Sequence, residues 1–442
     1  MIWKLFAGIG TTLLVTVAAG AGWTAYLTYG VPTPTVDYVA KLNETVVTTS
    51  EQDRAWPLLR EALIHMKPIP EALRLNNKNL PKPGAEGWDE AKPWLESNRG
   101  IVGPLIEASK KPSMGFVYGN KLSFEYMRER AKLNQETAKQ PHEWNTDRVT
   151  DPLAPPTLAL LLPHLSDTRT AAKLLVFDAR ESLSHGDFES AWASLDGAFR
   201  LGAHLMSGRT LIEQLTGIAV VSLAMKEMRS ALHSNQQSMT AERLALINGG
   251  ALTSTSPDLF KFDILTERFI FEDVVQYVFT DDGAGNGRLI PSQYGKLTSI
   301  STGEDTSTKQ SDAGLLAIAS VHADRATTMA KYIELADRMI EVYQLPLYDA
   351  RRKEAWHVIE SELPNDGEGG MRFALIRTLM PSLSRANQLM REGAMNLEAT
   401  IAAVKLSTFI ATKGHAPRRL GAMVPEYLKQ TPVDIYAGTR LI

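Results

Sequence analysis

The residues best placed for chemistry are two acid–arginine dipeptides, Glu267-Arg268 and Asp324-Arg325. Each falls in a stretch whose apolar patterning predicts a mostly buried helix, 256–279 and 313–344. A charge taken out of water needs a partner, because an unpaired buried ion is strongly destabilising. The expected arrangement is cross-pairing between the two helices, Glu267 with Arg325 or Asp324 with Arg268. The same groups also admit a catalytic reading. Asp263 and Glu267 share one helical face, and a pocket joining them to His322 or Asp324 would hold carboxylates suited to hydrolytic acid–base work.

Other constellations lack the residues their chemistry needs. Asp281 to Gly287 (DDGAGNG) has the flavour of a calcium loop. Aligned from Asp282, however, its third position is Ala284 and its twelfth Gln293, so the oxygen ligands are missing. Its three glycines do not follow a strand and open a helix, as a phosphate cradle requires. His142-Glu143 has no second histidine at zinc-protease spacing, and the nine histidines are scattered singly. There is no Gly-x-Ser-x-Gly elbow. The sequence has no cysteine, which excludes disulfides, thiolate nucleophiles and Cys-ligated metals. No cofactor is implied. A net charge of -3 gives no basic footprint for nucleic acid.

What would position these residues is a chain of helices behind an apolar entry segment. Leu5 to Tyr29 runs without Asp, Glu, Lys or Arg, long enough as a helix to cross a bilayer. Trp23, Tyr26 and Tyr29 gather at its distal end, where aromatic rings favour the headgroup layer. Lys4 precedes it, which orients the remaining chain outside the cytoplasm. The expectation is an uncleaved, single-pass signal anchor with its body outside the cytoplasm. Ala19-Gly20-Ala21 keeps cleavage and secretion open. Gly8, Thr12, Thr16, Gly20, Thr24 and Thr28 recur every four residues, a ridge on which a second helix could pack. Membrane contact through 5–29, with self-association or a protein partner, is therefore expected.

The organisation read from composition is an anchor and Pro-rich spacer (1–35), an N-terminal helical region (36–156), central helical hairpins (157–280), a flexible loop (281–312) and a C-terminal helical region (313–442). Prolines 93 and 104 should interrupt the helical patch that begins at Trp88. Residues 256–279 carry five of the thirteen phenylalanines and should be buried. A long helix from Pro381 to Lys413 should end at Gly414.

Two local patterns resemble known families. Gly186-Asp187-Phe188-Glu189-Ser190-Ala191, with Ala179, Leu195 and Ala198 at packing positions, is similar to one tetratricopeptide repeat unit. That resemblance implies a helix pair with a concave peptide-binding face; the residues taken alone imply an antiparallel hairpin. After the long helix, Gly414-His415-Ala416-Pro417, Leu420, Val424-Pro425-Glu426-Tyr427-Leu428 and Pro432-Val433-Asp434 resemble a pattern found in uncharacterised bacterial membrane-anchored envelope proteins. This resemblance implies a bacterial inner membrane and a periplasmic body. The same region is more loosely similar to type II secretion pseudopilins, although the pseudopilin processing motif is absent from the N-terminus. The pattern implies a tight turn entering a strand, and its stop at Ile442 is expected of a truncated chain.

The expected fold is mainly α: a transmembrane helix, an irregular array of antiparallel helix hairpins, and minor β at the C-terminus. The expected function is a membrane-anchored, extracytoplasmic, non-catalytic scaffold or binding protein. The alternatives are an envelope hydrolase and a secretion-related assembly component.

Overall fold

Side-chain oxygens set several helix starts. A computed structural model of the chain describes residues 29–441 apart from 76–79, 135–154, 261–263, 303–311, 347, 364–366, 381 and 435, together with Gly22, Ala25 and Tyr26. Its longer helices are α1 (Tyr38–Thr48), α2 (Trp56–His65), α3 (Trp88–Ser109), α4 (Asn120–Leu133), α5 (Pro163–Ser184), α6 (Phe188–Met206), α7 (Leu211–Ser234), α8 (Ile264–Val278), α9 (Pro291–Thr302), α10 (Asp312–Val321), α11 (Arg325–Gln344), α12 (Ala350–Ser361) and α13 (Ser382–Lys413). Asp37, Asp187 and Asp324 each cap a helix by accepting a backbone N–H of its first turn. Thr210 and Glu213 form a reciprocal capping box on α7.

No strand occurs among the described residues; the pairing present is three isolated bridges. The turn expected near the C-terminus does form. Asp434 Oδ1 accepts from Tyr436 N (2.8 Å) and Ala437 N (3.0 Å), and Val433 bridges Arg440. It closes on that single antiparallel bridge.

Three expectations are corrected. Helix α3 runs unbroken through Pro93 and Pro104. Each proline removes a helical hydrogen bond, a loss of about 3 kcal/mol. Burial of Trp88, Trp94, Leu95 and Leu105 offsets it, at roughly 1.5–3 kcal/mol for each large apolar side chain. The helix expected over 313–344 is two, α10 and α11. The break is imposed from outside: Ala323 N donates to Arg372 O, and Arg325 N to Gly287 O, both at distances below 3 Å. The loop expected over 281–312 contains α9, entered by a bridge between Phe279 and Leu289.

Helices α5 and α6 are joined by a three-residue turn through Gly186, whose φ of 77° suits the residue after a helix end. Helix α7 packs on α6 where two glycines meet. A Cβ on Gly217 would lie 2.5 Å from Met206 N, and one on Gly202 2.8 Å from Val221 N. The backbones approach because neither residue has a side chain.

The apolar interior has two main parts. The first gathers α2, α3, α5, α6 and α7, with Met390, Leu397 and Val404 of α13. The second gathers α8, α9, α10 and α11, with Leu211 and Ala386. A small third cluster packs Met423 and Leu428 back on Ala402 and Phe409, so the C-terminal segment folds onto its helix. Helix α13 therefore contributes to all three.

The spacer after the apolar run is fastened to the body. Gln276 Oε1 accepts from Thr35 N (3.1 Å) and Val36 N (3.2 Å), and its amide donates to Val36 O (2.8 Å). Arg288 donates to the carbonyls of Tyr26 and Tyr29 and lies 4.1 Å above the Tyr26 ring. Among the described residues no helix is long and apolar enough to cross a membrane. The run 5–29 lies almost wholly outside those residues, as do Gly8, Thr12, Thr16, Gly20, Thr24 and Thr28 of its small-residue ridge.

Candidate functional site: an apolar cleft beside a buried polar node

The seam between the two main cores is not closed. A cleft of ≈ 670 Å³ opens there. One wall is the segment before α5, with Leu158, Leu160, Leu161 and Leu162; the first turns of α7 add Leu211, Ile212 and Leu215. The opposite wall is Ile270 and Phe271 of α8, with Tyr332, Leu379 and Met380. Ile212 is 57% exposed although aliphatic. Phe271 and Tyr332 stack nearly parallel, centroids 3.7 Å apart, and stiffen the floor.

Two of the polar residues lining this cleft, Thr157 and Glu267, are already engaged. Thr157 donates from both N–H and hydroxyl to Asp273 Oδ2, at 2.9 and 2.6 Å. Glu267 accepts from Leu211 N at 2.9 Å, the first residue of α7, where the helix dipole favours an anion. Burial, then the neighbouring Glu267 and Glu272, raises the Tyr332 phenol above its ordinary range, so it stays a neutral donor.

Directly behind the cleft lies a polar node in the first core. His164 is fully buried, and its Nε2 sits 3.1 Å from Glu213 Oε1. Glu213 Oε2 accepts from Tyr118 Oη (2.8 Å), Thr210 N (2.9 Å) and Thr210 Oγ1 (2.9 Å). Tyr118 Oη in turn accepts from Arg209 N at 2.9 Å. Phe116 stacks on the imidazole at 3.7 Å, and Trp56 meets its edge. Burial pushes the Glu213 carboxyl up, but the hydrogen bonds from His164, Thr210 and Tyr118 prevail and hold it below its ordinary value. A carboxylate only accepts, so Nε2 carries the proton of that bond. A second node pairs Tyr126 Oη with Asp167 Oδ2 at 2.5 Å, with Arg130 alongside. Apart from the half-buried Arg130 these groups are buried, and they tie α4, α5 and α7 together.

The residues singled out from sequence separate. Neither cross-pair forms among the described residues. Arg268 pairs along its own helix with Glu272 (2.7 Å), and Arg325 with Asp281 (2.7 Å). Asp324 caps α11 by accepting from Thr327 N, also at 2.7 Å, because it stands at a helix start and not mid-helix. Glu267 alone borders the cleft. Asp263 lies outside the described residues. His322 has both ring nitrogens on backbone: Nδ1 on Ala323 O (2.8 Å) and Nε2 facing Leu375 N (3.4 Å). In the glycine-rich turn, Asp282 Oδ1 accepts from Ala284 N and Asn286 N, which occupies the carboxylate locally.

Sequence reading missed His164 and Glu213. The signal was Thr210-x-x-Glu213 before an apolar run, a capping box in its usual spacing. Nothing local marks His164, which lies between Pro163 and Leu165.

A buried and a half-buried histidine set an acid response. Burial lowers the pKa of His204, whose Nε2 lies 3.0 Å from Ser109 O, and of His322. Each is harder to protonate folded than unfolded. As pH falls below about 6.5 the unfolded chain takes up protons the folded chain refuses, and stability falls until the folded pKa is reached. His204→Gln and His322→Gln should each flatten the fall in Tm between roughly pH 7 and 5. An unchanged slope in the double variant would refute the assignment.

No family model, curated protein or solved structure matches this chain.

Proposed function

We propose that the chain is a non-catalytic helical binding scaffold, held at a membrane by residues 5–29 with its body outside the cytoplasm, and that the apolar cleft receives an apolar segment of a partner protein. The cleft carries this reading: it is a leucine- and isoleucine-lined opening at a seam between two cores, where ligand sites concentrate. Support for the non-catalytic part comes from Glu267, Asp324 and His322, which are each taken up by backbone groups. The charge-free run with its terminal aromatics supports the membrane part.

A photo-crosslinking residue at Ile212, in the full chain in its membrane, should give a discrete adduct; one at Leu246, on a different helix, should not. Ile270→Asp places a charge in the wall and should cut the Ile212 adduct by more than about tenfold, given roughly 1.5–3 kcal/mol for each apolar side chain buried. Equal adducts from both positions, or indifference to Ile270→Asp, would dispose of the cleft as the binding surface. Chain recovered from membranes by alkaline carbonate would dispose of the anchor.

A further inference from the structure

The C-terminal segment holds a second concavity of opposite character. A cleft of ≈ 700 Å³ opens between the helical turn Leu420–Met423 and the terminal bridge of Val433 with Arg440. Three cations line it: Arg419 before that turn, Lys429 in the connecting segment, and Arg440 on the returning limb. Among the described residues no acidic side chain lines it. The nearest acids in sequence are committed elsewhere, Glu426 to Lys413 at 3.3 Å and Asp434 to the N–H groups of its own turn.

The three cationic side chains have no ion pair or hydrogen bond among the described residues. Elsewhere in the chain Arg99, Arg180, Arg268, Arg325 and Arg338 hold carboxylates. Thr431 adds a hydroxyl, also without a partner, and Gly421 forms open floor. A Cβ there would stand 3.8 Å from Thr431 Oγ1 and 4.0 Å from Arg419 Nε, so hydroxyl and guanidinium converge on one point. Cations gathered in a concave surface repel one another and focus the field on an incoming anion. Arginine forks match phosphate oxygens two at a time, and a hydroxyl donor completes such a site. Val424 and Leu441 provide apolar wall for the body of an organic ligand.

We infer that this cleft binds an anionic organophosphate, supplied as a soluble phosphate ester or as a phospholipid headgroup. The inference does not depend on the apolar cleft or on its proposed partner.

The test uses the full chain in neutral detergent, titrated calorimetrically with inorganic pyrophosphate at low salt. Saturable one-to-one binding is expected. Arg419→Gln, Lys429→Gln and Arg440→Gln should each weaken it roughly tenfold, as fits loss of one charge-assisted contact. Lys82→Gln, which removes an exposed cation elsewhere, should leave it unchanged. Short-chain phosphatidylglycerol and phosphatidylcholine, added as monomers, separate the sources. Competition with pyrophosphate by phosphatidylglycerol alone assigns a headgroup, and competition by neither assigns a soluble ester. Absence of saturable pyrophosphate binding, or an equal loss in Lys82→Gln, overturns the inference. All four variants change exposed side chains and should keep the parent circular dichroism, so a loss of binding reads on the cleft.

Discussion

Glu213→Ala should lower the unfolding free energy by about 3–5 kcal/mol, the range for removing one partner of a buried charged network. The carboxylate is 1% exposed and accepts from His164, Tyr118 and Thr210, so its loss strands an imidazole, a phenol and a helix start in an apolar core. Tyr118→Phe removes one donor to Glu213 and the acceptor of Arg209 N but leaves the His164 and Thr210 contacts, and should cost less, about 1–3 kcal/mol. Urea unfolding followed by tryptophan fluorescence reports both, since Trp56 lies against His164. A loss under about 1 kcal/mol for Glu213→Ala would mean the node is not what joins α5 to α7. Because the folded carboxyl is held below its ordinary value, its contribution is complete above the ordinary glutamate pKa. It is lost as pH falls through the folded value, and Glu213→Ala should remove that part of the acid sensitivity.

The second large effect should follow Gly217→Val. A side chain at this position collides with backbone, Met206 N and Gly202 O, which cannot rotate away. Helices α6 and α7 would have to separate, breaking contacts of Val220, Val221 and Ala224, all buried. Overpacking a core usually costs 1–3 kcal/mol, and a backbone clash should reach about 3 kcal/mol or more. Gly100→Val is the control: nothing lies within 4 Å of a Cβ at that helical position. If Gly217→Val unfolds at the parent urea midpoint, the close approach of the two helices is wrong.

Helices were legible wherever one face alone had to be buried. Ala172, Leu175, Val176 and Ala179 follow the helical period and all lie inside α5. Gly186 and Gly414 end their helices with positive φ, as expected of residues without a Cβ. The break at 322–324 left no such trace. Apolar spacing continues from Leu315 and Ile318 into Tyr332 and Leu335, and the interruption comes from carbonyls of Arg372 and Gly287, remote in sequence. The Glu267 and Arg268 assignment went astray for a related reason. Sequence shows that a charge needs a partner, but not that a neighbour one turn away, Glu272, or a helix start, Leu211, will meet the need. The apolar cleft was half visible. Leu158 to Leu162 stands out as a run without charge, while the opposite wall comes from residues more than 100 positions later.

Helix α13 lends Met390, Leu397 and Val404 to a core otherwise made from the first 260 residues. A ribosome reading from the N-terminus therefore releases that core with an open side, to be sealed only when residues near 400 emerge. Until then its leucines and phenylalanines are available to other proteins. A chain that crosses a membrane before closing would meet this exposure on the far side, where a holding chaperone rather than its own sequence would have to cover it.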